Sequence, residues 1–120
     1  MWELDKNRPI CPQICEQICV KIANGEYKAN ERIPSVREIA LDAGVNPNTV
    51  QKALTTLTEQ GLLYPQRGSG MFVSDNCNKA VSKIDEMREK RTAEYIEEMK
   101  LLGLSLDEIK DYVKEWKENE

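Results

Sequence analysis

Two helix starts separated by a single glycine constrain this chain more than any other feature of its sequence. Ser35-Val36-Arg37-Glu38 is a capping box: a serine oxygen accepts from the third helical N–H, and a glutamate reaches back to the serine amide. The short helix it opens places Val36, Ile39 and Ala40 inward and stops at Ala43-Gly44. Almost at once Asn46 offers a second N-cap, and Pro47 suits the first helical position, where a missing N–H costs nothing. Val50, Ala53, Leu54 and Leu57 supply the buried stripe of this second helix, which ends at Gly61. Two short helices joined by so tight a turn form a helix-turn-helix.

The flanking segments extend that motif. Ile10, Ile14, Ile18 and Ile22 recur every fourth residue, with Pro9 and Pro12 in the first turn and Gly25 just past the end, which predicts a helix over residues 10–24. After the helix-turn-helix, Leu62-Leu63-Tyr64 and Met71-Phe72-Val73 are short apolar runs around Pro65-Gln66-Arg67-Gly68-Ser69-Gly70, the pattern of a β-hairpin with a glycine-rich tip. A hairpin in that position is a wing. Ser74 to Lys79 is a polar junction. A long helix is then expected over residues 78–102, with a broken apolar stripe of Val81, Ile84, Met87, Tyr95, Met99 and Leu102. Ser105-Leu106-Asp107-Glu108 is another capping box, and Leu106, Ile109, Val113 and Trp116 form a narrow seam suited to helix-on-helix packing. The fold class expected is mainly α with a small β-hairpin wing. A winged helix-turn-helix over residues 8–75 is followed by a two-helix tail over residues 76–120. The tail is too thin to enclose a core, so Ile84, Met87, Tyr95, Leu102, Leu106, Ile109, Val113 and Trp116 are expected to meet a second copy of the chain.

Charge and composition bound the function. The 120 residues carry a net charge of −4, unpromising for a polyanion-binding protein until the distribution is considered. Up to Val73 eight Lys and Arg balance eight Asp and Glu, and from Ser74 onward nine basic residues face thirteen acidic ones, so the whole excess lies in the tail. No apolar run approaches the ~20 residues of a membrane span, and Met1 to Asp5 does not resemble a secretory leader, so a cytoplasmic protein without a membrane role is expected. There is no histidine, and no nucleophile-and-base constellation, which argues against catalysis.

The chemistry expected is recognition of double-stranded DNA. The start of the helix opening at Pro47 would enter the major groove, where Asn48 and Gln51 can pair with adenine edges. Thr49 can meet a phosphate or a thymine methyl, Lys52 a phosphate, and unpaired N–H groups at the helix start a backbone phosphate. Asn46 is first of all a cap. Ser35 and Arg37 open the preceding helix, and Arg37 could reach a phosphate or a guanine edge. Arg67 with Gly68 and Gly70 suits a wing tip that lays main chain and one cation along the minor groove.

With these residues in order, the chain resembles the GntR family of regulators. The resemblance is carried by Pro9-Ile10, Gln13-Ile14, Ile22 and Gly25; by Ile33-Pro34-Ser35-Val36-Arg37-Glu38-Ile39-Ala40; by Gly44-Val45-Asn46-Pro47-Asn48-Thr49-Val50; by Ala53-Leu54, Leu57 and Gly61-Leu62-Leu63; and by Arg67-Gly68-Ser69-Gly70-Met71-Phe72-Val73. The Asn-Pro-Asn-Thr-Val form and the short tail look like the YtrA-like subfamily. The resemblance implies a homodimer on a pseudo-palindromic operator, usually a repressor, often of a transporter operon. It also implies contact roles for Arg37, Thr49 and Gly68. Many family members carry a base-reading arginine where this chain has Pro47, so base reading is expected to shift to Asn46, Asn48 and Gln51.

Two alternatives stand beside this reading. One is a protein-interaction module that uses the winged helix and the acidic tail to dock another chain. The other is a metal- or redox-responsive regulator acting through Cys11, Cys15 and Cys19, which share a helix face, with Cys77 as a fourth thiol. Against the second, reduced cysteines also serve as small packing residues, and their spacing is not a usual zinc pattern. No cofactor is indicated. A small-molecule effector is compatible with the sequence but not indicated by it, because so short a tail leaves little room for a pocket of several hundred Å³.

Overall fold

The computed structural model of the chain describes residues 2–118. Five helices and one hairpin lie among them: α1 (Ile10–Ala23), α2 (Val36–Ala43), α3 (Pro47–Glu59), β1 (Leu63–Gln66), β2 (Gly70–Val73), α4 (Asn78–Leu101) and α5 (Leu106–Glu115). The chain divides into two compact units, which meet between Ile84 and Asp85 within α4.

The first unit is the winged helix. Its α1 packs on α3, α2 packs on α3, and α3 leads into β1. Ile14, Ile18 and Ile22 of the α1 stripe are buried, as are Ile39 and Ala40 of α2 and Val50, Ala53, Leu54 and Leu57 of α3. Several of these are fully enclosed, so truncating one such leucine to alanine costs about 2–5 kcal/mol. Ile10 and Val36, expected on the inner faces, are only half-buried at the ends of their helices.

The capping signals act as read. Ser35 accepts from the Glu38 amide at 3.1 Å, and Glu38 accepts from the Ser35 amide at 3.1 Å. Gly44 ends α2 at φ +69, a left-handed conformation that glycine adopts without penalty, and its N–H closes on Ala40. In the tail Ser105 and Glu108 repeat the same reciprocal pair.

The wing has a third member that the sequence pattern did not suggest. β1 and β2 pair antiparallel from Leu63 opposite Val73 to Gln66 opposite Gly70. The loop ahead of α2 then joins their outer edge: Val73 donates to Glu31, Asn30 to Val73 and Ile33 to Met71, with Arg32 bridged to Phe72. Tyr64 stacks on Phe72 and donates to the Asn30 side chain at 3.1 Å. Asn30 itself sits at φ +62, which asparagine tolerates better than most residues.

The N-terminal segment is strapped along α1 through two glutamines. The Gln13 carboxamide is buried, yet it accepts from the Asp5 amide at 2.7 Å and donates to the Asp5 and Pro9 carbonyls at 2.8 and 3.0 Å. Gln17 makes the equivalent two-way bond with Glu3. The buried Lys21 pairs with Glu26 at 2.9 Å and lies against the Trp2 and Tyr27 rings. Its charge is thus compensated rather than stranded.

The first turns of α4 belong with this unit. Ala80 and Ile84 are buried there, and Lys83 donates to the Gln60 side chain. This corrects the expectation that Ile84 faces a second protomer: at 4% exposure it is spent inside its own chain. The second unit holds the rest of α4 and α5. Ile109, also expected at a dimer seam, is 2% exposed and likewise satisfied within the chain. Among the described residues no helix is long and apolar enough to cross a membrane.

Candidate nucleic-acid interface

The leading turn of α3 is exposed. Asn46, Pro47 and Asn48 all face solvent, as do Gln51 and Lys52 one turn on, while Thr49 is half-buried. Val50 and Ala53 turn inward from the same turns, so the polar side chains must point out. Gln51 is held only loosely, its amide 3.5 Å from the Thr55 hydroxyl, which leaves the carboxamide able to reorient toward a base edge.

One sequence-based expectation is corrected at this turn. The N–H groups at the start of α3 are not available for a phosphate. Asn48 donates to the Asn46 side chain at 2.8 Å, Thr49 donates to the Asn46 carbonyl at 3.0 Å, and Pro47 has no N–H. A good cap consumes the donors that an anion site would need. The side chains of Asn48, Thr49, Gln51 and Lys52 are what the turn has to offer. Asn46 has its side-chain oxygen committed to the cap and only its amide nitrogen to spare.

Ser35 and Arg37 stand at the start of α2. The Ser35 hydroxyl is engaged with Glu38. Arg37 is exposed, as are Lys52 and Arg67, and among the described residues none of the three is in an ion pair. Cations left uncommitted on one compact unit suit a phosphate backbone.

The wing tip carries Arg67, Gly68 and Gly70, all exposed, with Gly68 at φ +77 and Gly70 at φ +111. At Gly70 a side chain would be both strained and crowded, because an added Cβ would lie 3.1 Å from Arg32 Nε. Arg32 therefore lies alongside the wing, a second cation that the sequence reading passed over. Nothing in the local pattern marks it: it joins the wing only through the bridge to Phe72.

The cysteines are distributed differently from a site. Cys19 is buried in the α1 face, and Cys15 is half-buried with its thiol 3.6 Å from the Ala53 carbonyl. Burial, reinforced by Cys11 and Cys19 alongside, pushes the Cys15 thiol up to about 11, and burial raises Cys19 as well. Both thus keep their protons at neutral pH, unlike a reactive thiolate. Among the described residues no group of three or more Cys, His, Asp or Glu is arranged to hold a metal ion. Packing accounts for Cys15 and Cys19, and nothing among the described residues supports the metal- or redox-responsive reading of Cys11, Cys15 and Cys19.

The other predicted contact residues lie in the second unit. Tyr95, Leu102, Leu106, Val113 and Trp116 are exposed, and Met87 is half-buried. Tyr95, Val113 and Trp116 line a groove of about 310 Å³ together with Tyr112, which the sequence seam omitted because it lies beside the heptad-like positions.

Residues 12–73 match the model of the family described as bacterial regulatory proteins, gntR family. The HTH-type transcriptional regulator YhcF of Bacillus subtilis is 31% identical, covering 97% of this chain and 96% of its own length. The HTH-type transcriptional repressor YtrA of the same organism is also 31% identical, over 89% of this chain and 83% of its own. Among solved structures, a GntR family transcriptional regulator from Listeria monocytogenes superposes with a TM-score of 0.84 at 32% identity, covering 95% of this chain and all of that one. The AraR DNA-binding domain in complex with operator ORE1 matches 62% of this chain and 93% of its own, with a TM-score of 0.54 at 33% identity. These relatives are regulators rather than enzymes, and their shared architecture is the one described above. The chain belongs to the GntR family: it is a winged helix-turn-helix, DNA-binding transcription regulator.

Proposed function

We propose that the chain is a repressor of the YtrA-like type that binds a pseudo-palindromic operator as a homodimer. Each protomer addresses one half-site. The leading turn of α3 enters the major groove with Asn48, Thr49, Gln51 and Lys52, with Asn46 at its edge. Ser35 and Arg37 engage the flank, and Arg67, Gly68 and Gly70 lie along the adjacent minor groove with Arg32 beside them. The observation that carries this reading is the exposed, polar start of α3 on a unit whose Arg37, Lys52 and Arg67 stand outside ion pairs. Likeness to YtrA, a repressor by name, supports the sign of regulation, and YhcF at equal identity is the reason the subfamily stands as a proposal.

Dimerisation is assigned to the tail. Tyr112 and Val113 of α5, Trp116 just past its end, and Leu101 and Leu102 at the end of α4 are large apolar groups left in solvent. A second copy would cover such a patch. The target, a transporter operon on the analogy with YtrA-like regulators, is to be found by selecting bound fragments from genomic DNA. With the selected operator, replacing Arg37 and Thr49 together by alanine should weaken binding by about 1–3 kcal/mol for each base edge that is no longer read. Affinity of the double variant equal to that of the parent would displace the interface from α2 and α3.

A further inference from the structure

Between α2 and the leading turn of α3 lies a groove of about 330 Å³ lined by Arg37, Ala40, Leu41, Gly44, Val45 and Pro47. All but Arg37 are apolar. Leu41 is 83% exposed and follows Arg37 by one helical turn, so isobutyl group and guanidinium share a face. Pro47 has no N–H and presents ring carbons at the position where α3 begins. A single exposed leucine would mean little, but Leu41, Val45 and Pro47 together line the groove, and Pro47 stands between Asn46 and Asn48 in the chain. None of this can hydrogen-bond a base or neutralise a phosphate.

In the major groove the apolar feature of a base pair is the C5-methyl of thymine. We infer that this groove receives one thymine methyl in each half-site. Leu41, Val45 and Pro47 then specify sequence by apolar contact, where hydrogen-bonding residues would read by donor and acceptor. The inference rests on the operator-binding reading above. Continuity supports DNA as the occupant: Arg37 and Pro47 belong both to the groove and to the DNA-facing surface, and a cation at the rim favours a polyanion over an apolar peptide.

The test is a methyl scan. Each thymine of the selected operator is replaced in turn by deoxyuridine, which deletes the methyl and keeps every hydrogen-bonding group, and affinity is read by fluorescence anisotropy with the full chain. One thymine per half-site is expected to lose about fourfold in affinity on substitution, the weight of one buried carbon. In the Leu41→Ala/Pro47→Ala double variant the same replacement should cost nothing, while its helical circular dichroism matches the parent. Absence of any methyl-sensitive thymine, or a sensitivity that persists in the double variant, overturns the inference while leaving operator binding intact. A double variant with altered oligomeric state also overturns it, since a second copy would then be the occupant. Failure of the parent chain to select any operator removes the operator reading and this inference together.

Discussion

A thiol that keeps its proton up to about pH 11 behaves at neutral pH as a small packing group, and Cys15 is held in that condition by its burial against α3. The linkage is specific in sign. A folded value raised from 9.0 to about 11 means that the folded chain retains a proton the unfolded chain has lost between those limits. Stability from this site is therefore complete below pH 9 and is lost as the pH rises toward 11. Urea unfolding measured from pH 8 to 11 should show a declining midpoint, and Cys15→Ala should flatten part of the decline. A thiol-alkylation time course at pH 7.5 should label Cys15 and Cys19 far more slowly in the native chain than in urea, and equal rates would show that the α1 face is open. At this scale the sequence reading was right about Asn46 as a cap and wrong to expect unpaired N–H groups beside it, because a filled cap leaves no N–H for an anion.

The elements of the winged helix were legible wherever their determinants are local. Both capping boxes, the left-handed stop at Gly44 and the proline start of α3 follow from side chains within three or four residues of the backbone groups they satisfy. The bridge from Glu31–Ile33 to the wing was not legible, because it joins residues some forty positions apart and the segment has no alternating pattern. Each box can be weighed separately. Ser35→Ala removes the acceptor for the Glu38 amide and should lower the stability of the first unit by about 1 kcal/mol. Glu38 is held below the ordinary carboxylate value by its bonds to Ser35, as Glu108 is by Ser105. The contribution of each is present above the usual carboxylate range and is lost as the pH falls through the lowered folded value. Glu38→Ala should therefore cost less at pH 3 than at pH 7 in thermal melts, and an equal cost at both would mean that the box does not depend on charge.

For the whole molecule, the proposed dimer makes the most direct prediction. Sedimentation at micromolar concentration should give twice the mass of one chain, and Tyr112→Glu with Val113→Glu should give a folded monomer, since both side chains are already exposed. Losing the linked second half-site should cost operator affinity on the order of 10²-fold or more. A folded parent monomer at that concentration would remove the dimer proposal. The tail was also the least legible part of the chain. A seam read from spacing cannot tell residues that meet a neighbouring helix of the same protomer from those that meet another protomer. Ile84 and Ile109 are buried within the chain, while Tyr112, one position off the seam, stands exposed in the groove.

The pairing at the edge of the wing ties two reading elements together. Because Asn30, Glu31 and Ile33 are bonded to β2, the chain that enters the Ser35 cap two residues later is the same chain that braces the hairpin. One hydrogen-bonded segment thus joins the hairpin to the entry of α2, like the frame between the jaws of a caliper. If the proposed contacts hold, the interval between the bases assigned to α3 and the narrow groove assigned to Arg67 is fixed to within a base pair. In the proposed dimer, tolerance for operators of different length then falls to the spacing between the two half-sites.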